Sequence, residues 1–162
     1  MNLTQIHSNN INYPSGSIIQ SLLFRDGVRR SVNASNESIL FSGSFTKKRP
    51  DTDIFATCTV YGVRFESGNC GVGMVLNDLW DFGCGYQYDG AYTEANQTTI
   101  IIGTSQWSYS DVPAGEHTIG FGWKNINGST TDRPFEIFNP NNSDDERNQQ
   151  FISSILLYEV VA

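Results

Sequence analysis

Residues 54–65 read Ile-Phe-Ala-Thr-Cys-Thr-Val-Tyr-Gly-Val-Arg-Phe. Taken in alternation, Phe55, Thr57, Thr59, Tyr61 and Val63 fall on one side, and Ala56, Cys58, Val60 and Gly62 on the other. A period of two marks an extended strand with two faces in different surroundings. The Thr, Val and Tyr that fill it suit a pleated surface. This stretch sets the class expected of the whole chain.

Outward from it, similar segments recur. Ile18, Ile19, Leu22, Leu23 and Phe24 predict a first strand, and Ile39-Leu40-Phe41 with Phe45 a second that runs to Lys47. Beyond residue 65, strands are expected at Val72–Leu76, Asp81–Tyr88, Thr98–Trp107, His117–Trp123, Phe135–Phe138 and Phe151–Val161. Turn formers such as Asp111-Val112-Pro113-Ala114-Gly115 separate them. No segment keeps a helical period. Short strands at regular spacing with turns between them predict a sandwich or barrel, and an antiparallel, jelly-roll-like β-sandwich over residues 17–162 is the leading choice. Residues 1–16 are polar and Asn-rich and predict an N-terminal arm that tethers the module to a neighbour.

Composition agrees. The 162 residues suit one domain. Aromatics are 12% and charged residues 17%, the latter low against roughly a quarter in soluble domains. The net charge of −7 argues against sequence-independent nucleic-acid binding, which needs clustered Lys and Arg. The short clusters Arg29-Arg30 and Lys47-Lys48-Arg49 are expected to be exposed loop or edge-strand charges. Neither a basic, apolar leader nor a bilayer-spanning run is read in the sequence. Cys58, Cys70 and Cys84 make an odd set, which predicts reduced, mostly buried thiols; one bridge with a spare thiol is the alternative.

Chemistry is sparse. His7 lies in the arm and His117 at the head of a strand. The cysteines are too widely spaced for a zinc knuckle. Carboxylates are plentiful, but a glycosidase needs two facing across a cleft, and acidic loops are the plainer reading. The run Asn142-Ser143-Asp144-Asp145-Glu146 offers clustered oxygens to calcium without the spacing of a helix-loop-helix site, so a solvated loop is expected. The sequence therefore predicts no catalytic residues, no metal and no cofactor.

Two patterns point to surfaces instead. Aromatics concentrate between Leu79 and Tyr92 beside Asp and Gln, which makes Trp80, Tyr86, Tyr88 and Tyr92, with Trp107 further on, candidate receptor or interface residues. The same composition also fits a core strand with an exposed hairpin. In the strand after Pro113, Ile119, Phe121 and Trp123 point one way while Gly120 and Gly122 point the other. A glycine face admits close approach, either within one sandwich or from a neighbouring subunit, so Gly120 and Gly122 are candidate subunit-packing positions.

The two ends of the chain carry a resemblance. Tyr13-Pro14-Ser15-Gly16-Ser17-Ile18-Ile19-Gln20 resembles the Pro-x-Gly-Ser-Val-Ile-Gln opening of small β-domains in tailed-phage fibre and virion structural proteins, frequent in phages of cyanobacteria. Ser153-Ser154-Ile155-Leu156-Leu157-Tyr158-Glu159-Val160-Val161-Ala162 resembles their closing strand. Ile39-Leu40-Phe41 and Pro113–Ile119 sit where that pattern places its second strand and a later strand entry. The chain departs from it in the aromatics between Trp80 and Tyr92 and in carrying little upstream fibre region. The resemblance implies a jelly-roll-like sandwich, commonly a homotrimer related in shape to the tumour-necrosis-factor fold, exposed on the virion and without cofactor or catalytic residues. The expectation is a tail fibre or tail appendage that is assembled in the bacterial cytoplasm and contacts host glycan, with its arm bound to other virion proteins. A capsid decoration protein and a carbohydrate-binding, lectin-like module are the alternatives.

Overall fold

The computed structural model describes residues 13–32, 37–63, 70–81, 100–125, 137–139 and 151–162. Among them are ten strands: β1 (Ile18–Asp26), β2 (Arg30–Ser31), β3 (Glu37–Lys47), β4 (Thr52–Val63), β5 (Cys70–Leu76), β6 (Leu79–Asp81), β7 (Ile100–Tyr109), β8 (Gly115–Asn125), β9 (Ile137–Phe138) and β10 (Ser153–Val161). They form two sheets in which every pairing is antiparallel.

One sheet runs β3-β8-β5-β6. The other holds six strands, but they lie in four lines. β10 pairs with β4 as far as Ser154↔Thr59, and β9 takes over on β4 at Phe138↔Gly62. β9 and β10 are thus one interrupted line. Its neighbour is interrupted beside it: β1 pairs with β10 to Asp26↔Ser153, and β2 resumes at Arg30↔Phe138. β7 pairs with the whole length of β4 from Ile54↔Tyr109 to Val63↔Ile100. Two sheets of four lines, (β1/β2)-(β9/β10)-β4-β7 and β3-β8-β5-β6, form an antiparallel β-sandwich with jelly-roll connectivity.

In β4 the smaller residues face inward. Ile54, Ala56, Cys58 and Val60 are buried, while Phe55 stays 43% exposed. Bulk for the core comes from other strands: Phe41 and Phe45 of β3, Trp107 of β7, Phe121 and Trp123 of β8, and Phe138 of β9. The Phe41 and Phe138 rings stack at 5.8 Å and join the sheets. Phe24 of β1 reaches β3, where a Cβ on Gly43 would lie 2.1 Å from its ring. Only a residue without a side chain leaves room there.

Several expected boundaries move. The strand expected at Asp81–Tyr88 is seen as Leu79–Asp81, because Asn77 and Asp78, both at positive φ (49° and 67°), close a two-residue hairpin between Leu76 and Leu79. Residues 82–88 of that expectation lie outside the described residues. Lys47, expected as an exposed charge, is 1% exposed, since it falls on the inward side of β3 with Phe45.

The register also gives the sandwich two unlike ends. At one, the turn 48–51, the hairpin at Asn77-Asp78 and the loop 110–114 make short connections, and residues 13–17 and Ala162 join them. Gly16 N donates to Val161 O at 2.8 Å and Val161 N to Ser17 O at 2.9 Å. At the other end lie Val63, Ile100, Ile137, Cys70, Asn125 and Glu37, held by Val63↔Ile100, Val63↔Ile137, Cys70↔Asn125 and Glu37↔Lys124.

Candidate functional site

The candidate surface residues separate by position. Tyr86, Tyr88 and Tyr92 lie outside the described residues, as do His7, Cys84 and the run 142–146. Cys84 and the three tyrosines fall between β6 and β7 in sequence, and the run 142–146 between β9 and β10. β6 runs from the hairpin at Asn77-Asp78 toward the end that Ile100 occupies, away from residue 13 and Ala162.

Trp107 is a correction to the sequence reading. It is 5% exposed and packs in the core, because it pairs with Ala56 on the inward side of β4. It offers no ring to a receptor. Its indole Nε1, that of Trp123 and the Tyr109 hydroxyl are buried without a hydrogen-bond partner among the described residues.

Trp80 does lie outward. It pairs with Val75, which is 3% exposed yet stands apart from the core cluster. The indole stretches from β6 across β5 to β8, where a Cβ on Gly122 would come within 2.8 Å of Trp80 Cη2 and 2.6 Å of Ser38 O. Two strand spacings separate β6 from β8, about 10 Å, so the side chain lies along the sheet rather than standing off it. Ile119, Phe121 and Trp123 point into the core, and Gly120 and Gly122 away from it. At Gly122 the room that glycine leaves is taken by this chain's own Trp80.

Two polar clusters escaped the sequence reading. Glu159 is fully buried near the end of β10. Its Oε2 accepts from Gln20 Nε2 at 2.6 Å and Lys48 N at 2.9 Å; its Oε1 accepts from Arg49 N at 2.9 Å and lies 2.8 Å from Thr52 Oγ1. Lys47 Nζ donates to Arg49 O close by. Burial lowers the Lys47 pKa, and the carboxylates of Glu159, Asp53 and Asp51 oppose that shift. Tyr13 packs on Arg49, whose Cζ lies 5.6 Å from the ring centre. The carboxylate thus fastens β1, β10 and the β3–β4 turn together where residues 13–17 meet the body.

The second cluster sits at the break in β9/β10. Asn139, fully buried with φ 51°, donates from Nδ2 to Asp26 O at 2.6 Å. Its Oδ1 accepts from Ser153 Oγ at 2.6 Å and Ser153 N at 3.1 Å, and its N–H donates to Tyr61 O at 3.0 Å.

His117 is buried and engaged. The Pro113 carbonyl, 2.8 Å from Nε2, can only accept, so Nε2 carries a proton. Asn77 Oδ1 accepts from Thr118 N at 3.0 Å, which turns its amide nitrogen toward Nδ1 at 2.7 Å. Nδ1 is therefore the acceptor, and the ring ties the β5–β6 hairpin to the loop before β8. Cys58 is a free thiol in the core, and burial pushes its pKa far up. Among the described residues, no three His, Cys, Asp or Glu gather to hold a metal ion, and no helix is long and apolar enough to cross a membrane. Compared with known proteins, the chain matches no family model and no curated sequence.

Proposed function

We propose that this protein is a structural attachment module of a tailed-phage particle, a tail fibre or tail appendage that carries a self-associating β-sandwich to the host surface and performs no catalysis. The observation that carries this reading is the polarity of the sandwich. Residues 13–17 and Ala162 join the body at the end fastened by Glu159, while β6 and β7, between which Tyr86, Tyr88 and Tyr92 fall in sequence, both reach toward the opposite end. A module fastened to its assembly at one end and free to meet a surface with the other suits a role at the tip of an assembly. The likeness of residues 13–20 and 153–162 to virion β-domains supplies the class of particle. The test is to purify particles by density gradient, identify this chain in them by mass spectrometry, and label it with antibody. Label on the tail supports the proposal, label on the head alone favours a capsid decoration protein, and absence from the particle overturns both.

A second reading, a lectin-like module that stacks a sugar on an outward aromatic, is favoured by Trp80 lying on the sheet surface. A glycan array separates the two, with Trp80→Ala and Tyr88→Ala abolishing the signal only if those rings carry it.

A further inference from the structure

The outward side of the (β1/β2)-(β9/β10)-β4-β7 sheet carries an uncharged field whose apolar centre is Leu23, Phe55, Leu156 and Tyr158, set among Ser21, Thr57, Gln106 and Ser108. Its rows follow from the register. Ser21, Tyr158, Phe55 and Ser108 form one, and Leu23, Leu156, Thr57 and Gln106 the next. Phe55 is 43% and Leu23 49% exposed, with Tyr158 and Leu156 half-buried between them. Val160 extends the field, with Ile18 beside it at 58% exposure. No charged residue stands in the two central rows; Arg25 and Asp53 lie at opposite margins.

We infer that this face is where copies of the chain pack against one another, which makes concrete the self-association in the proposed function and rests on that part of it alone. Charge and area select the occupant. The protein carries a net charge of −7, so two copies repel over most of their surfaces and can meet at least cost on a field without charge. The strands are nine residues long in β1 and β10 and four lines wide. At about 3.3 Å per residue and about 4.8 Å per strand, the face measures roughly 30 by 19 Å. Two such faces together remove on the order of 1,000 Å² or more from water once side-chain relief is included, which reaches the range of specific interfaces. The glycine stripe on the other sheet is the poorer surface, because Trp80 already occupies it at Gly122.

Sedimentation velocity of the full chain at micromolar concentration tests this, with circular dichroism reporting the fold. The wild type is expected to sediment as a dimer or trimer. The Leu23→Lys/Phe55→Lys variant is expected to sediment as a folded monomer, with association weakened about a hundredfold or more, as for loss of two central apolar contacts. Leu79→Lys, which changes an apolar residue 74% exposed on β6 and off this face, is expected to assemble as the wild type does. If the Lys pair disturbs folding, Leu23→Thr/Phe55→Thr keeps strand propensity and removes the apolar surface. A monomeric wild type overturns the inference, as does a face variant that still assembles. Wild type that stays monomeric alone but binds glycans or vesicles through Phe55 assigns the face to another occupant and overturns it equally. Each of these results leaves the attachment reading to be decided by location on the particle.

Discussion

At the scale of single residues, burial of charge and absence of side chains decide the local structure. Glu159 has no exposed surface, and its two oxygens accept from Gln20, Lys48 and Arg49 beside the Thr52 hydroxyl, which makes its carboxyl group a structural acceptor. Glu159→Gln keeps the volume but turns an amide N–H₂ toward groups that themselves donate. With hydrogen bonds to charge contributing about 1.5–3 kcal/mol each, a loss of about 2–4 kcal/mol is expected, seen as a melting temperature lower by roughly 5–15 °C. A melt within 2 °C of wild type, about what 1 kcal/mol shifts at this size, would show the clamp to be idle. Gly122→Ala places a Cβ against Ser38 O on the paired strand and against Trp80, and is expected to cost about 1–3 kcal/mol. In a Trp80→Ala background the cost should shrink but persist, because the carbonyl belongs to the backbone. Equal costs in both backgrounds would mean the indole gives way freely. The position of Glu159 was open to reading in advance, since it shares parity with Ile155 and Leu157 in a strand that buries every second residue. Its partners were not, because Gln20, Lys48, Arg49 and Thr52 come from three other places in the chain.

At the scale of elements, the alternation in β4 carries through to the fold: the strand is as long and as two-faced as its sequence suggests. What period two does not reveal is which face is inner. In β4 the bulky set with Phe55 and Tyr61 faces out, because Phe41, Phe121, Trp107 and Trp123 already fill the space between the sheets. Trp107 was misplaced for the same reason: an aromatic flanked by polar residues in sequence is placed by its partner across the ladder, here Ala56. The breaks in β1/β2 and β9/β10 were equally hidden, since they lie side by side only after the sheet forms. Asn139 and Ser153 join them by satisfying buried backbone groups that neither strand can pair. Asn139→Ala strips the carbonyl of Asp26 and the N–H of Ser153 of their partner. A loss of about 2–4 kcal/mol is expected in urea unfolding, with hydrogen exchange at Ser153 accelerating before that of the core of β4. Uniform acceleration throughout would show that the join is no weaker than the rest.

At the scale of the whole molecule, the sandwich combines two different outer faces, two different ends and an interior in which burial raises the pKa of a thiol and a phenol and lowers that of an ammonium. Burial pushes the Cys58 thiol far above its ordinary value of about 8.5, and burial, then the Asp81 carboxylate, push the Tyr109 phenol above about 10. Both groups stay protonated in the fold at pH values where the unfolded chain releases those protons. Their contribution is fully present below the unfolded values and is lost as pH rises through them. Lys47 acts with the opposite sign: burial lowers its ammonium pKa, so between that lowered value and about 10.4 the unfolded chain binds the extra proton and stability gains with pH. The thiol opens the unfavourable window first, and alone it removes about 1.4 kcal/mol per pH unit above about 8.5. Urea unfolding at about pH 8 and about pH 10 separates the contributions. Wild type is expected to lose stability across that interval. Cys58→Ala should start lower, because a buried atom is gone, but fall less steeply, and Lys47→Met should make the fall steeper by removing the opposing gain. Parallel slopes for wild type and Cys58→Ala would mean that the thiol titrates without unfolding the core around it, and the alkaline limit would then belong to the edge of the sandwich at Tyr109.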